Sequence, residues 1–454
     1  MSSMPATAAN AAAAAAARTD EAQPDAEPSL SRAADPEAVD PASDGPAGTE
    51  VDPLLAAPAA LVPALQRRGF ERLTPVQCAI LDADDGARDL RITSQTGSGK
   101  TVALGFALAA GLERAERQGP TTLVIAPTRE LAMQVAEELR WLFADLDDVR
   151  CGVVTGGTNV LTERLRLRRP PTVLVGTPGR LLDHLREGAL DLSGVCQLVL
   201  DEADQMLDLG FKDELDGIVD QLPDERRTHL VSATFPRAVL ELANRFQREP
   251  LLIEGTAPDA VHADIEHIAY KIGSREHYGA LVNLLLLAGD ERTLVFVRTR
   301  EDTVALADRL HADGFAALPL NGDLAQRQRT RTLDAFKQGT VRTLIATDVA
   351  ARGLDVESVT RVVHVHPPID SATYVHRSGR TGRAGNKGQS LMFVTRPLAA
   401  RAERLYRGAN VEPRWTTIPG RAAVYDHKLG ATAAAAEAAI AAAPVAHPNL
   451  LAAA

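Results

Sequence analysis

The feature that most constrains this chain is a set of short, unbroken apolar runs separated by helix-like stretches. Leu123-Val124-Ile125, Val173-Leu174-Val175, Leu198-Val199-Leu200 and Leu230-Val231 contain no polar residue at alternate positions. A strand with one wet face alternates apolar and polar side chains, whereas a wholly apolar run must be covered on both faces, as in a parallel sheet between helices. Stretches such as Glu130 to Phe143 supply that cover. A second series repeats the pattern at Leu294-Val295-Phe296-Val297, Leu344-Ile345, Val362-Val363 and Leu391-Met392-Phe393-Val394. Between the two series, "GTAPDAVHAD" loses it and reads as a linker. The spacing predicts two α/β domains in sequence, at 53–255 and 265–400, joined by a linker at 256–264. Each is a mostly parallel sheet with helices on both faces.

A length of 454 residues suits such a division. At 45% hydrophobic and 24% charged, the composition is that of a soluble globular protein. No run of about 18 strongly apolar residues occurs, so no membrane span is expected. The stretch Ala11 to Ala17 lacks a basic leader and is only weakly hydrophobic, which argues against a signal peptide. Cys78, Cys151 and Cys196 are scattered, odd in number and without metal-ligand spacing, as expected of small buried residues in a reducing cytosol.

The net charge of −11 argues against a nucleic-acid partner only if it is evenly spread. It is not. Residues 1–52 hold two arginines against ten acids, so −8 lies there and the other 402 residues carry −3. That Ala/Pro/acid-rich segment has no aromatic residue and is expected to be a disordered tail. Residues 401–454 form a C-terminal extension, mostly alanine after Gly430, for which a frayed helix and disorder are equally open.

Ligands of open parallel sheets bind at the carboxyl ends of the strands, and the distinctive motifs follow strands. "SQTGSGKT" (94–101) fits a phosphate-binding loop except at Ser94, where glycine is usual. Gly97, Ser98 and Gly99 would let successive N–H groups face an anion, Lys100 would supply charge, and Thr101 a hydroxyl for Mg²⁺. The bland alternative is a Gly/Ser turn before a lysine. "LVLDEAD" (198–204) runs an apolar strand straight into acids. Asp201 is placed to hold Mg²⁺ and Glu202 to orient or deprotonate an attacking water. A solvated acidic turn would leave the apolar approach unexplained.

With these motifs in order, the chain resembles the DEAD-box ATP-dependent RNA helicases of superfamily 2, from about Gly69 to Gly388. The resemblance implies two tandem RecA-like domains, ATP and Mg²⁺ as cofactors, and RNA as partner. In "GFERLTPVQ" (69–77), Gln77 would read adenine and Phe70 would lie at the nucleotide site. Two departures occur there: Leu73 stands where the family usually has proline, and no aromatic residue precedes Phe70. "PTREL" (127–131), Gly156-Gly157 and "TPGR" (177–180) resemble RNA-contacting elements, with Arg129, Gly157, Thr177, Gly179 and Arg180 as contacts. "SAT" (232–234) implies coupling of Ser232 and Thr234 to Asp204. Arg164, Arg166, Arg168 and Arg169 read instead as the solvated face and end of a helix.

In the second domain, Gln326, Arg329 and Thr347 would face RNA, Asp355 would bind the ribose and Arg352 would couple the sites. "HRSGRTGR" (376–383) would supply Arg380 and Arg383 as arginine fingers and His376 as a tie to the DEAD acids. By itself that loop is a basic surface patch; a complete phosphate site in the other domain favours the finger role. His366-Pro367-Pro368 stands where the family often has Asp-Leu-Pro. The implied activity is RNA-stimulated ATP hydrolysis with local unwinding of short duplexes, or remodelling of RNA–protein complexes, by interdomain closure. Backbone contacts imply little sequence preference. An ATP-gated RNA clamp and a DNA translocase are the alternatives. The expected protein is a cytoplasmic monomer; its target RNA and its protein partners are not legible.

Overall fold

The computed structural model describes residues 53–83, 86–94, 98–112, 119–255, 264–351, 359–382 and 387–442. The expected tail at 1–52, most of the linker, the end of the alanine-rich segment, and Gly97, Arg352, Asp355 and Arg383 lie outside the described residues.

The apolar runs form two all-parallel sheets. In the first are β1 (Leu90–Thr93), β2 (Thr122–Ile125), β3 (Cys151–Val154), β4 (Val173–Gly176), β5 (Gln197–Asp201), β6 (Arg227–Ser232) and β7 (Leu251–Glu254). They lie in the order β3-β4-β2-β5-β6-β1-β7. The second comprises β8 (Ile265–Ile272), β9 (Arg292–Phe296), β10 (Ala317–Leu320), β11 (Thr343–Ala346), β12 (Val359–His364), β13 (Gly388–Thr395) and β14 (Arg414–Thr417). Its order, β10-β11-β9-β12-β13-β8-β14, is that of the first sheet shifted by seven strands. The two domains are therefore topological repeats.

Alternation along each strand divides each core between two sheet faces. Leu198 and Leu200 join one apolar cluster while Val199 joins the other; Leu294 and Phe296 separate from Val295 in the same way. Full burial of such a side chain contributes about 1.5–3 kcal/mol. That is why these runs, rather than the polar connections, fix the layers.

Strand order also sorts the motifs. β1, β5 and β6 are neighbours, with Thr93 opposite Ser232 and Asp201 opposite Val231. The phosphate loop, the acids and the Ser-Ala-Thr motif must emerge side by side. β2, β3 and β4 carry Arg129, Gly157 and Thr177 at the other half of the same edge.

The second domain does not end at 400. Helix Ala399–Gly408 buries Ala402, Leu405 and Tyr406, and β14 pairs with β8. The boundary at 400 is corrected accordingly: "RWTT" has too little apolar content to read as a strand. Helix Arg421–Ala442 continues through Gly430. Among the described residues, no helix is long and apolar enough to cross a membrane.

One buried group sets a pH dependence. His229, on the same face of β6 as Val231, is fully buried, and neither ring nitrogen has a hydrogen-bond partner among the described residues. Burial, with Arg227 adding repulsion, lowers its pKa from 6.5 to about 3. Below pH 6.5 the unfolded chain takes up a proton that the folded chain refuses, so stability falls with pH from there toward 3. At pH 5 this costs about 2 kcal/mol. His229→Leu is expected to remove most of that loss. Thermal melts of both proteins at pH 7.5 and pH 5 test this; an equal drop in both would rule it out.

Candidate functional site

The turn after β1 is built around a side chain from the preceding helix. Gln77, on helix Pro75–Ala83, is fully buried; its Oε1 accepts from the Thr74 N–H at 2.9 Å and its Nε2 donates to the Gly99 carbonyl at 3.2 Å. Gly99 has φ +85°, and a Cβ there would lie 2.7 Å from Gln77 Nε2, so only glycine fits. Ser94 and Ser98 bring their hydroxyl oxygens to 2.5 Å just ahead of helix Lys100–Leu112. Each end of the amide keeps a further site, the second Nε2 N–H and the second Oε1 lone pair, so Gln77 can make these bonds and still meet another partner. Phe70 is packed at the edge of the domain core, its ring 5.9 Å from that of Trp141.

Lys100, at the start of that helix, reaches under the end of β5. Its Nζ is 3.0 Å from Asp201 Oδ1 and 3.2 Å from Glu202 Oε1, with side chains 8%, 0% and 3% exposed. Burial opposes the Lys100 charge, but Asp201 and Glu202 outweigh it and raise the lysine pKa. Burial raises the Asp201 carboxyl despite Lys100 beside it, and Glu202 adds to the rise. Apart from the Lys100 contact, neither Asp201 oxygen has a partner of good hydrogen-bond geometry among the described residues. A buried carboxylate with unused lone pairs is the donor a hard divalent cation takes, so these residues fit Mg²⁺. Thr101 is one position along the helix from Lys100.

Glu202 has φ +55°, the left-handed region, which a non-glycine residue occupies at a cost of order 1 kcal/mol. The kink turns the chain from β5 into helix Ala203–Asp208, and Gln205 donates to Glu202 Oε2. Such strain persists where surrounding contacts over-determine it, here on the residue expected to handle water.

Asp204, next on this turn, collects the coupling residues. Its Oδ2 accepts from the Thr234 N–H at 3.1 Å and the Thr234 hydroxyl at 2.9 Å, and its N–H donates to Ser232 Oγ at 3.3 Å. His376 Nε2, from helix Ser371–Ser378 of the second domain, lies 3.4 Å from the same Oδ2. Burial would push the Asp204 carboxyl up, but His376 and the Thr234 and Ser232 hydroxyls hold it down, to about 2. Arg380 follows the helix, nearly buried, and its Nε donates to the His376 carbonyl at 3.3 Å.

The other half of the edge forms a second interdomain cleft of about 450 Å³. Arg129, Thr177, Gly179 and Arg180 line it from the first domain, and Gln326 and Arg329 from the second. Arg129 Nη1 donates to Gln326 Oε1 at 3.3 Å. Gly157, at φ +79°, lets the chain pass against the Arg129 guanidinium, where a Cβ would collide. Thr177 precedes helix Pro178–Arg186, and its hydroxyl accepts from the Gly156 N–H at 3.4 Å. Thr347 directly follows β11 and is buried. Arg166, Arg168 and Arg169 are exposed on and after helix Val160–Leu167, apart from this cleft.

Three residues of consequence escaped sequence reasoning. Glu163 is buried and accepts from Thr155 N–H at 3.1 Å and Arg180 Nη1 at 2.6 Å, with His184 Nε2 at 2.8 Å and the Thr158 hydroxyl also on it. It holds Arg180 against the Gly156-Gly157 turn. Burial would raise its carboxyl, but these four partners hold it below the ordinary value. Glu130 Oε1 accepts from Arg329 Nε at 2.6 Å across the domains. Arg377 is nearly buried, and its Nη2 donates to Asp348 Oδ2 at 2.7 Å. No local spacing signals these pairings.

Comparison with known proteins identifies the family. The DEAD/DEAH box helicase family model matches residues 74–242, and that of the helicase conserved C-terminal domain matches 276–385. The ATP-dependent RNA helicase DbpA of Escherichia coli K12 is 41% identical over 367 residues, 81% of this chain and 80% of its own. The DEAD-box ATP-dependent RNA helicase CshA of Geobacillus kaustophilus is 40% identical over 332 residues, covering 73% and 71%. S. cerevisiae Dbp5 bound to RNA and ADP BeF3 superposes with a TM-score of 0.74 at 27% identity, covering 84% of this chain and 99% of Dbp5. A Dbp5 variant bound to Nup159, Gle1, IP6 and ADP gives 0.57 at 26% identity, covering 83% and 99%. This chain belongs to the DEAD-box family of ATP-dependent RNA helicases. It is an RNA helicase and ATP hydrolase built on two tandem RecA-like domains.

Proposed function

We propose that this chain hydrolyses ATP to ADP and phosphate when RNA closes its two domains, and that closure unwinds short RNA duplexes or remodels RNA–protein complexes. The observation that carries this reading is the double seam. Asp204 meets His376 at 3.4 Å at the phosphate end, and Glu130 meets Arg329 at 2.6 Å in the other cleft. Ligands in either cleft that prefer this arrangement shift the population toward it. The higher likeness to the Dbp5 complex with RNA and ADP BeF3 supports the same reading.

In this proposal Gly97, Ser98 and Gly99 cradle the phosphates, and Lys100 turns from its acids to the terminal phosphate. Glu202, freed of Lys100, orients the attacking water and takes its proton. Mg²⁺, held by Asp201 and Thr101, would supply charge neutralisation on the phosphates. Gln77 and Phe70 serve the adenine side and Asp355 the ribose. Arg380 and Arg383 are the arginine fingers, and Arg352 joins Asp204, Ser232 and Thr234 in coupling. Arg129, Gly157, Thr177, Gly179, Arg180, Gln326, Arg329 and Thr347 hold RNA through its backbone, which gives little sequence preference. The active species is taken to be a monomer, since one chain supplies every residue named. Cys78 is exposed and Cys151 and Cys196 are half-buried, so the burial expected of these thiols does not hold; all three are free, which suits a reducing cytoplasm.

ATP hydrolysis by the purified chain, with and without single-stranded RNA, tests the proposal beside Glu202→Gln. Hydrolysis should rise with RNA, and the variant should lose about 10²–10⁴ of the stimulated rate while still binding ATP and RNA. A rate indifferent to RNA would sink closure as the trigger. A variant as fast as the parent would remove Glu202 from the chemistry.

A further inference from the structure

The two seams are connected inside the second domain by a chain of direct contacts through one short helix, Asp348–Ala351. Arg329, whose Nε donates to Glu130 at 2.6 Å, uses its Nη2 to donate to the Ala350 carbonyl at 2.7 Å. At the other end of the helix, Asp348 accepts a two-pronged contact from Arg377 through Nε and Nη2, at 2.5 and 2.7 Å. The Arg377 guanidinium carbon lies 5.0 Å from the centre of the Phe296 ring, at the end of β9. The neighbouring residue His376 is the one that reaches Asp204.

A forked arginine–carboxylate pair fixes both distance and orientation, unlike a contact through a single atom. The Arg377 side chain is only 6% exposed, so swinging it away would leave a buried charge unpaired. Helix Ser371–Ser378 must therefore move with the Asp348 helix, and the Asp348 helix with Arg329. Where His376 stands relative to Asp204 then depends on whether Arg329 is seated on Glu130.

We propose that Asp348 and Arg377 are positioning residues that couple the RNA-side contact Glu130–Arg329 to the ATP-side contact Asp204–His376. Neither touches substrate; they act by making the Asp348 helix and the His376 helix one rigid body. The inference rests on RNA-stimulated hydrolysis as read above.

The test uses full-length Asp348→Asn, Arg377→Lys and the double variant, each checked by thermal melting, together with wild type. Hydrolysis is measured across an RNA titration at saturating ATP, and RNA affinity is measured with and without a non-hydrolysable ATP analogue. Each single variant should lose about fivefold or more of the RNA stimulation, and the gain in RNA affinity on adding the analogue should shrink alike, since coupling is reciprocal. RNA affinity without nucleotide and the RNA-free rate should stay within about twofold, a pattern general loosening would not produce. The double variant should be no worse than the worse single, because both break one link. Asp348→Asn keeps the shape of a side chain 34% exposed, so it is the arm that answers if Arg377→Lys melts early. Unchanged stimulation in folded variants would overturn the proposal, as would equal losses with and without RNA. Wild type without any RNA stimulation would instead overturn the functional reading beneath it.

Discussion

Lys100→Ala is expected to abolish measurable ATP hydrolysis and to destabilise the ligand-free first domain by about 3–5 kcal/mol near neutral pH. Two buried carboxylates, Asp201 and Glu202, share this ammonium as their cation at 3.0 and 3.2 Å. Removing it leaves like charges side by side with no water to screen them. The alternative, that the pair is neutral to stability, would hold only if both acids were replaced with it. The variant also gives the loss a direction with pH. Asp201 already has its carboxyl pushed above the ordinary value by burial, and without Lys100 it must rise further. A carboxyl whose folded pKa is raised costs nothing below its unfolded pKa, and the cost grows as pH rises from there to the folded pKa and stays constant above it. The penalty of Lys100→Ala should therefore be larger at pH 8 than at pH 5.5. Melting curves of both proteins at the two pH values, taken without nucleotide, measure it. A penalty independent of pH would mean that Asp201 is not the group left stranded.

How much of this was legible beforehand depended on whether the relevant physics was local. The strands were, because a residue such as Val199 announces burial through its neighbours in sequence. The phosphate-loop reading rests on a local signal of the same kind, since glycines, a lysine and a hydroxyl must be adjacent to wrap one anion. β14 was not, because "RWTT" is short and polar and gains its place by pairing with β8, some 146 residues earlier. Glu163 stands among arginines in sequence, and it is Thr155, Arg180 and His184, lying 8 to 21 residues away, that make it a hub. Glu130 and Arg329 stand 199 residues apart. Pairings of that kind follow from the sheets meeting, and no periodicity in either segment carries them.

The same distinction bears on Gln77 and Phe70. The motif is local, its residues adjacent in sequence. What it does there without nucleotide, holding Thr74 and Gly99 together through one amide, required the fold. The same amide keeps one N–H and one oxygen lone pair for a further partner beyond Thr74 and Gly99.

Arg380→Ala should lower the RNA-stimulated kcat by about 10³–10⁵, the range removal of an arginine finger produces elsewhere. Arg380 is 5% exposed and is held by a bond from its Nε to the His376 carbonyl at 3.3 Å. His376 itself stands 3.4 Å from Asp204, so the turn carrying Arg380 borders the acids of the other domain. A basic patch meant only for the surface would not bury its arginine against the residue that touches those acids. Arg380→Lys should recover little, because a point charge on a flexible stem cannot offer the planar fork that braces a phosphoryl group as its charge spreads. The KM for ATP should change far less than kcat, since the finger acts on the transition state more than on the bound ground state. Steady-state kinetics at saturating RNA, with melting curves to confirm folding, decide the matter. A loss confined to KM, or full rescue by lysine, would return this loop to the role of general phosphate grip.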